Sequence, residues 1–260
     1  MSRITVITIC YDNPEDVINT CKSVDKQDQK PFEHLIIDGS TTPTIKNHFE
    51  KNPEPFYRRW ICEQDDGISD AFNKGVLNAK GDIIVMLNSG DTFYNDHAIG
   101  IANTAFEKDK NLQWLHSKYE LHRGDTWIII GKPFEKSKMY RGMRSISHQT
   151  MFVKKSLHDK YGLYDTQLKI AMDYNFLLRI ANEKFIFIET PLVKFAPAGT
   201  STVYYLSSLK EIKNSYEKYY GKSIFLEIWQ LRLKFLHYLL NTRLGKLLFK
   251  VKTRLKMENM

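Results

Sequence analysis

The sequence predicts an α/β fold, with a mostly parallel central sheet flanked by helices and a helical extension at the C-terminus. Three observations predict it. β-Branched and apolar runs alternate with helical patterns through roughly the first ninety residues. Acidic residues stand at or beside the ends of four of those runs, the edge where parallel sheets bind ligands. Large apolar side chains interleaved with Lys and Arg fill the last forty residues.

The elements follow in order. "RITVITI" (3–9) is a buried strand. Pro14 opens the helical stretch "PEDVINTCKSV", with acidic residues in its first turn. "HLIID" (34–38) is a second strand and "RRWICE" (58–63) a third. "GISDAFNKGVLNA" (67–79) reads as a helix that Gly81 ends, and "DIIVML" (82–87) is a fourth strand. Right-handed crossovers between them give a mostly parallel sheet. Farther on, 111–133 reads as a strand and a hairpin turning near Arg123, Gly124 and Asp125. Residues 145–165 read as a short strand and a helix, 169–184 as an amphipathic helix with Asp173 in its first turn, and 185–196 as a strand.

Composition bounds the function. The chain has 260 residues, 42% of them hydrophobic, which suits one large domain with a real core. Its three cysteines form no CxxC pair, so a structural zinc site or a disulfide framework is not expected and a reducing cytoplasm is. The first ten residues read as a strand and not as a signal peptide. Residues 221–260 hold 9 Lys and Arg against 2 Asp and Glu, and the other 220 residues hold 29 against 28. Of the net charge of +8, +7 therefore sits in the tail, and a general attraction to nucleic acid is not implied.

The strand ends carry the candidate chemistry: Tyr11, Asp12 and Asn13; Asp38, Gly39 and Ser40; Glu63, Asp65 and Asp66; Asn88 and Asp91. A lone Asp after a strand is usually a turn residue or a helix cap, but four on one edge ask for a common reason.

Five motifs in order supply one: "ITVITICYDN" at the start, "LIIDGSTT" (35–42), "EQDDGISDAFNKGVLNAKGDIIVMLNSGD" (63–91), "SHQTMF" (147–152) and "MDYNFLLRI" (172–180). Over about residues 1–205 the chain resembles the family 2 glycosyltransferases of GT-A fold, and within them a subgroup that builds bacterial cell-surface polysaccharides such as colanic acid and O-antigen. The resemblance implies a Rossmann-like catalytic domain over 1–205, with a donor half to about 95 and an acceptor half from 96. It implies inverting transfer from a nucleotide diphosphate sugar, UDP by family habit, to a glycan or an undecaprenyl-diphosphate-linked acceptor. It implies a divalent cation, Mn²⁺ or Mg²⁺, which would neutralise the departing diphosphate. By the same resemblance Asp91 is the metal ligand, although "NSGD" has Gly90 where an Asp is common. One carboxylate can suffice, because phosphate oxygens and water fill the rest of the shell.

Other roles carry over position by position. Thr8 and Tyr11 fall where the family holds the base, and Asp38 where it reads base or ribose. Asp65 matches a further acidic position, with Asp66 as its competitor. Asn73 and Lys74 follow on the helix, Lys74 as a point charge for phosphates. Asn88 orients the site or binds a donor hydroxyl, and His148 lies near the substrates. Asp173 is the general base that takes the acceptor's proton. Position 175 is Asn where the subgroup often has Asp, so Asp173 is the only carboxylate of its motif.

In the tail, 206–260, no run reaches the roughly twenty apolar residues of a spanning helix. Residues 223–256 read as an amphipathic surface for an anionic membrane, which would put the protein in the cytoplasm, peripheral on the inner face of its membrane. The alternatives are helices packed on the catalytic domain or on a second subunit of a homo-oligomer. A sugar nucleotidyltransferase is disfavoured because "CYDNPED" lacks a Gly-rich phosphate loop, and a dehydrogenase because GxGxxG is missing. A catalytically inactive nucleotide-binding scaffold is the remaining alternative.

Overall fold

The computed structural model describes residues 2–123, 126–144, 146–196 and 204–242, with Gly245. Gly124 and Asp125 of the expected hairpin turn, and the tail from 246 onward, lie outside the described residues.

The first half is built as the alternation requires. Strands β1 (Ile4–Cys10), β2 (Glu33–Asp38), β3 (Arg58–Cys62) and β4 (Ile83–Met86) run parallel in the order β3-β2-β1-β4. Helices α1 (Pro14–Asp25), α2 (Thr44–Lys51) and α3 (Ile68–Asn78) make the crossovers. Successive residues of β1 and β4 face opposite sides. Ile7, Ile84 and Met86 pack with α3, while Ile4, Val6, Ile83 and Val85 join a second core.

Beyond β4 the sheet becomes mixed. β8 (Phe152–Lys154) pairs antiparallel with both β4 and β6 (Trp114–Arg123). β9 (Phe185–Lys194) runs parallel to β6 and takes the two-residue β5 (Thr92–Phe93) antiparallel on its other side. β7 (Thr126–Ile130) folds back on β6, with Arg123 opposite Thr126, so the expected hairpin forms. Helix α4 (Ala98–Lys108) fills the second core with Ala98, Ile99, Ala102 and Phe106, and neither it nor α2 was among the expected elements.

Helix α5 (Ser156–Tyr161) leads to α6 (Met172–Ile180), which is shorter than the expected 169–184. The reason is a carboxylate from far along the chain. Glu211, on α7 (Tyr205–Tyr220), accepts the backbone N–H groups of Lys169, Ile170 and Ala171 at 3.1, 2.9 and 2.8 Å. Those N–H groups are then satisfied outside a helix, and the first turn begins at Met172. The last helix among the described elements, α8 (Ile224–Leu240), packs through Leu226, Gln230 and Leu233. Its other side leaves Ile224, Phe225, Ile228, Leu231, Phe235 and Tyr238 exposed. Among the described residues no helix is long and apolar enough to cross a membrane.

Candidate active site

At the end of β4 the Asn88-Ser89-Gly90-Asp91 segment closes as a turn, with the Asp91 N–H on the Asn88 carbonyl at 2.9 Å. Gly90 has φ +93°, and a Cβ there would stand 3.1 Å from Ala196 Cβ and 3.5 Å from Asp16 Cγ. Only glycine takes that backbone without strain. The hydroxyl of Thr20, buried on α1, pins the turn: it accepts from the Gly90 N–H at 2.9 Å and donates to the Asp91 carbonyl at 2.8 Å.

A short 3-10 turn at His148–Thr150 faces this turn and joins it to α6. His148 Nδ1 lies 3.0 Å from Asp173 Oδ2, and His148 Nε2 lies 3.1 Å from Asn88 Nδ2. With the amide oriented this way, Nε2 accepts from Asn88, so Nδ1 carries the hydrogen and donates to Asp173. The second oxygen of Asp173 accepts the Tyr174 N–H at 2.7 Å. Each oxygen thus takes part in one hydrogen bond and keeps a lone pair for an incoming proton. The Asp173 side chain is 20% exposed and Phe72 packs edge-on to the His148 ring at 5.4 Å. Asn88, His148 and Asp173, three residues expected at the site, thus form one hydrogen-bonded chain.

Asp91 is held differently. It is 6% exposed, its Oδ1 accepts the Ala196 N–H at 2.9 Å, and its Oδ2 accepts Gln149 Nε2 at 3.0 Å. Burial pushes its pKa above the ordinary carboxylate value. Both oxygens face protein donors, and among the described residues no three His, Cys, Asp or Glu side chains gather as a metal set. The side chain ties the turn to Gln149 and to the strand end, so a cation on Asp91 would share oxygens that already accept these two N–H groups. At position 90, where the resemblance puts a second carboxylate, glycine leaves the space to Asp16.

Two further residues expected at the donor site have buried side chains. The Thr8 hydroxyl is fully buried, donating to the Leu87 carbonyl at 2.8 Å and lying 3.0 Å from His34 Nε2. Arg58 Nε donates to the other ring nitrogen of His34 at 3.0 Å, so the Thr8 hydroxyl ends a hydrogen-bonded chain inside the sheet. The Asn73 amide is buried too, bonding both the carbonyl and the N–H of Tyr164 at 2.9 Å, and so fastens α3 to the segment before α6.

The donor-side residues shape the strand ends. Asp38 is buried, with one oxygen accepting the Ser40 N–H at 3.0 Å and the other the Trp60 Nε1–H at 3.3 Å. Asp65 accepts the Gly67 N–H at 2.9 Å and lies so close over Gly39 that a Cβ there would meet its Oδ2 at 1.9 Å. Asp66 is exposed. Lys74 is paired with Glu63 and Asp70 at 3.1 and 3.3 Å, which raises its pKa against the opposing cost of burial. Tyr11 stands 59% exposed at the rim.

Sequence reasoning missed one latch on this edge. Asp12, with φ +49°, accepts the hydroxyls of Thr41 and Thr42 at 2.7 Å and the Thr42 N–H at 3.0 Å. The Thr42 hydroxyl, foremost among these donors, holds its pKa below the ordinary value. Asp in a left-handed conformation is uncommon, and "CYDN" followed by "STT" was the available signal. Gln149 was also missed, because nothing in "SHQ" tells which element its amide will meet.

Comparison with known proteins agrees with this architecture. The family model described as Glycosyl transferase family 2 matches residues 5–162. A protein of Mycobacterium tuberculosis strain H37Rv, named only as a glycosyltransferase, is 31% identical over 181 residues, 68% of each chain. The glycosyltransferase YwdF of Bacillus subtilis strain 168 is 24% identical over 191 residues, 70% of this chain and 69% of its own. Among solved structures, the mannosyltransferase PcManGT of Pyrobaculum calidifontis, in complex with GDP-Man and Mn²⁺, superposes with a TM-score of 0.65 at 14% identity, over 99% of this chain and 81% of its own. S. aureus TarS 1-349 with UDP-GlcNAc gives 0.64 at 15% identity, over 88% and 70%. At such identities the structural likeness speaks for the fold alone.

Proposed function

The chain belongs to glycosyl transferase family 2, and from that premise we propose that it inverts the anomeric centre of a sugar taken from a nucleotide diphosphate donor, with UDP as the nucleotide. Asp173 is the general base. The observation that carries this is the Asn88–His148–Asp173 chain, which puts an oriented, partly exposed carboxylate at the start of α6.

The acceptor oxygen attacks the sugar C1 from the face opposite the nucleotide. Its proton passes to Asp173, and the bond from C1 to the β-phosphate oxygen breaks with its electron pair going to the diphosphate. His148 holds one Asp173 oxygen through Nδ1–H, and Asn88 holds His148 in that tautomer. Asp38, Asp65 and Tyr11 stand at the donor edge, where Asp65 keeps Gly39 close and lets the chain turn tightly. Divalent-cation dependence has the Mn²⁺ bound to PcManGT as its support. No step is routed through Asp91, whose oxygens accept the Ala196 and Gln149 N–H groups.

The acceptor is a glycan or a lipid-linked sugar of bacterial surface polysaccharide, and the protein acts on the inner face of the cytoplasmic membrane. What supports this is α8, whose exposed apolar face lies beside Lys222, Arg232 and Lys234. The reading divides the chain into a catalytic unit over 1–205 and an extension over 206–260.

The test is Asp173→Asn, which keeps shape and removes the base. Sugar transfer should fall by about two to four orders of magnitude while donor binding, read as a thermal shift, persists. Transfer near the wild-type rate would sink the assignment. Nucleotide binding without donor turnover in the wild type would instead favour the inactive scaffold.

A further inference from the structure

Beside the base the core leaves a cavity of about 10 Å³. Four polar side chains line it, Asp173, His148, His158 and Tyr164, and the rest of its wall is apolar, Met86 and Val153 included. A space of about this size holds one water when about two to four polar groups can bond it. His148 has both ring nitrogens engaged, with Asp173 and with Asn88. His158 does not. It sits on α5, 3% exposed, and neither of its ring nitrogens has a hydrogen-bond partner among the described residues. Burial lowers its pKa to about 3, so the ring is neutral and offers one N–H and one lone pair. Leaving such a donor and acceptor unbonded in the core is costly.

The packing holds that imidazole against the helix of the base. His158 stacks on Phe176 with ring centroids 4.1 Å apart and planes 4° from parallel, and Phe176 lies one turn along α6 from Asp173. Tyr164 stands 5.2 Å from the same ring, and burial raises its pKa, so its hydroxyl remains a donor. Asp173 keeps a lone pair on each oxygen after its bonds to His148 and to the Tyr174 N–H. A water in the cavity donates to one of those lone pairs and bonds His158, with the Tyr164 hydroxyl as a further partner. The carboxylate is then held from the core as well as by His148, and is less free to turn.

We propose that this cavity binds one ordered water that bridges His158 to Asp173, and that His158 acts through it as a positioning residue for the base. The positioning role rests on the transferase reading; the water site rests on the cavity and the unbonded imidazole. A crystal structure of the full-length protein reads the site. It should show a water within about 3.2 Å of a His158 ring nitrogen and of an Asp173 oxygen. Release of UDP from UDP-glucose, UDP-galactose and their N-acetyl forms, with water as acceptor, reads the role. His158→Phe keeps a ring on Phe176 and removes both nitrogens. It should lose the water and lower kcat by more than about tenfold, toward the roughly hundredfold that a displacement of about 1 Å costs, with donor KM unchanged. His158→Asn and His158→Gln place an amide near one ring nitrogen or the other, and at least one of them should restore the water and most of kcat. In an Asp173→Asn background His158→Phe should cost nothing further.

A dry cavity in the wild-type crystal structure overturns the proposal, whether or not the variants fold. So does a water that bonds His158 and leaves Asp173 untouched. A kcat within about twofold of wild type in folded His158→Phe overturns the positioning role. Equal losses in the Phe, Asn and Gln variants assign His158 to packing alone, with the same consequence. A raised donor KM in place of a lowered kcat gives the effect to donor binding and again overturns it. A bridging water in a protein that turns over none of the four donors supports the site and counts against the transferase reading.

Discussion

Asp91 shows how one residue type at one position can serve two physical ends. Asp91 sits almost fully buried, and each of its oxygens accepts one N–H, from Ala196 and from Gln149. Asp91→Ala should therefore destabilise the fold by about 1–3 kcal/mol, the cost of leaving buried donors unmet. Asp91→Asn should cost less than about 1 kcal/mol, because the Gln149 amide can reverse and meet the new N–H with its oxygen. Denaturant titration reads both, and Mn²⁺ should shift the unfolding of wild type and Asp91→Asn equally. A shift lost only in the variant would restore Asp91 as a metal ligand. The burial of the Thr8 and Asn73 side chains was not legible for a related reason. Their places at a strand end and on the following helix were legible, but which way a polar side chain turns depends on partners distant in sequence, such as His34 and Tyr164.

Among the elements, α6 depends most on its neighbours. Its start is set by Glu211, and α7 grips it further through Asn175 to Ser215 at 3.3 Å and Tyr220 to the Leu178 carbonyl at 3.2 Å. Glu211→Ala should fray the first turn of α6 and displace Asp173. A misplacement of about 1 Å costs on the order of a hundredfold in rate, so kcat should drop with donor affinity unchanged. In an Asp173→Asn background the same change should cost nothing further, and a double-mutant cycle with fully additive losses would separate Glu211 from the base. The helical pattern around Asp173 was visible in the sequence. Its first residue was not, because the group that stops the helix from starting earlier comes from forty residues downstream.

For the whole molecule, three histidines held neutral in the core govern acid stability. Burial lowers the pKa of His34 well below its ordinary value, that of His116 to about 4 and that of His158 to about 3. The unfolded chain binds these protons near pH 6.5 and the folded protein does not, so folding stability is present above that pH and falls as pH drops. Each histidine contributes about 1.4 kcal/mol per pH unit, and the losses accumulate between about pH 6 and 4. His158→Phe, which keeps the ring stacked 4.1 Å from Phe176, should lessen that slope by about one proton in denaturant titrations at pH 7 and 5. At the same scale, full-length protein should bind anionic vesicles, and a chain ending at 222 should not. Concentration-dependent self-association in place of vesicle binding would assign the α8 face to a second copy of the chain.

Periodicity in the sequence by itself determined the α/β class and the mostly parallel run of the first four strands, and the motifs that carry the resemblance pointed to the family and to Asp173 at the start of its helix. Those are local properties: each strand or helix announces itself by the spacing of its own apolar residues. The tertiary structure alone decided that the sheet turns mixed beyond β4, that Asp91 and Thr8 face inward, that Asn88, His148 and Asp173 join in one hydrogen-bonded chain, and that three arginines converge on Trp229. Each of these is a contact between segments far apart in the chain, and hydrogen-bond direction and charge convergence exist only once packing has fixed the distances.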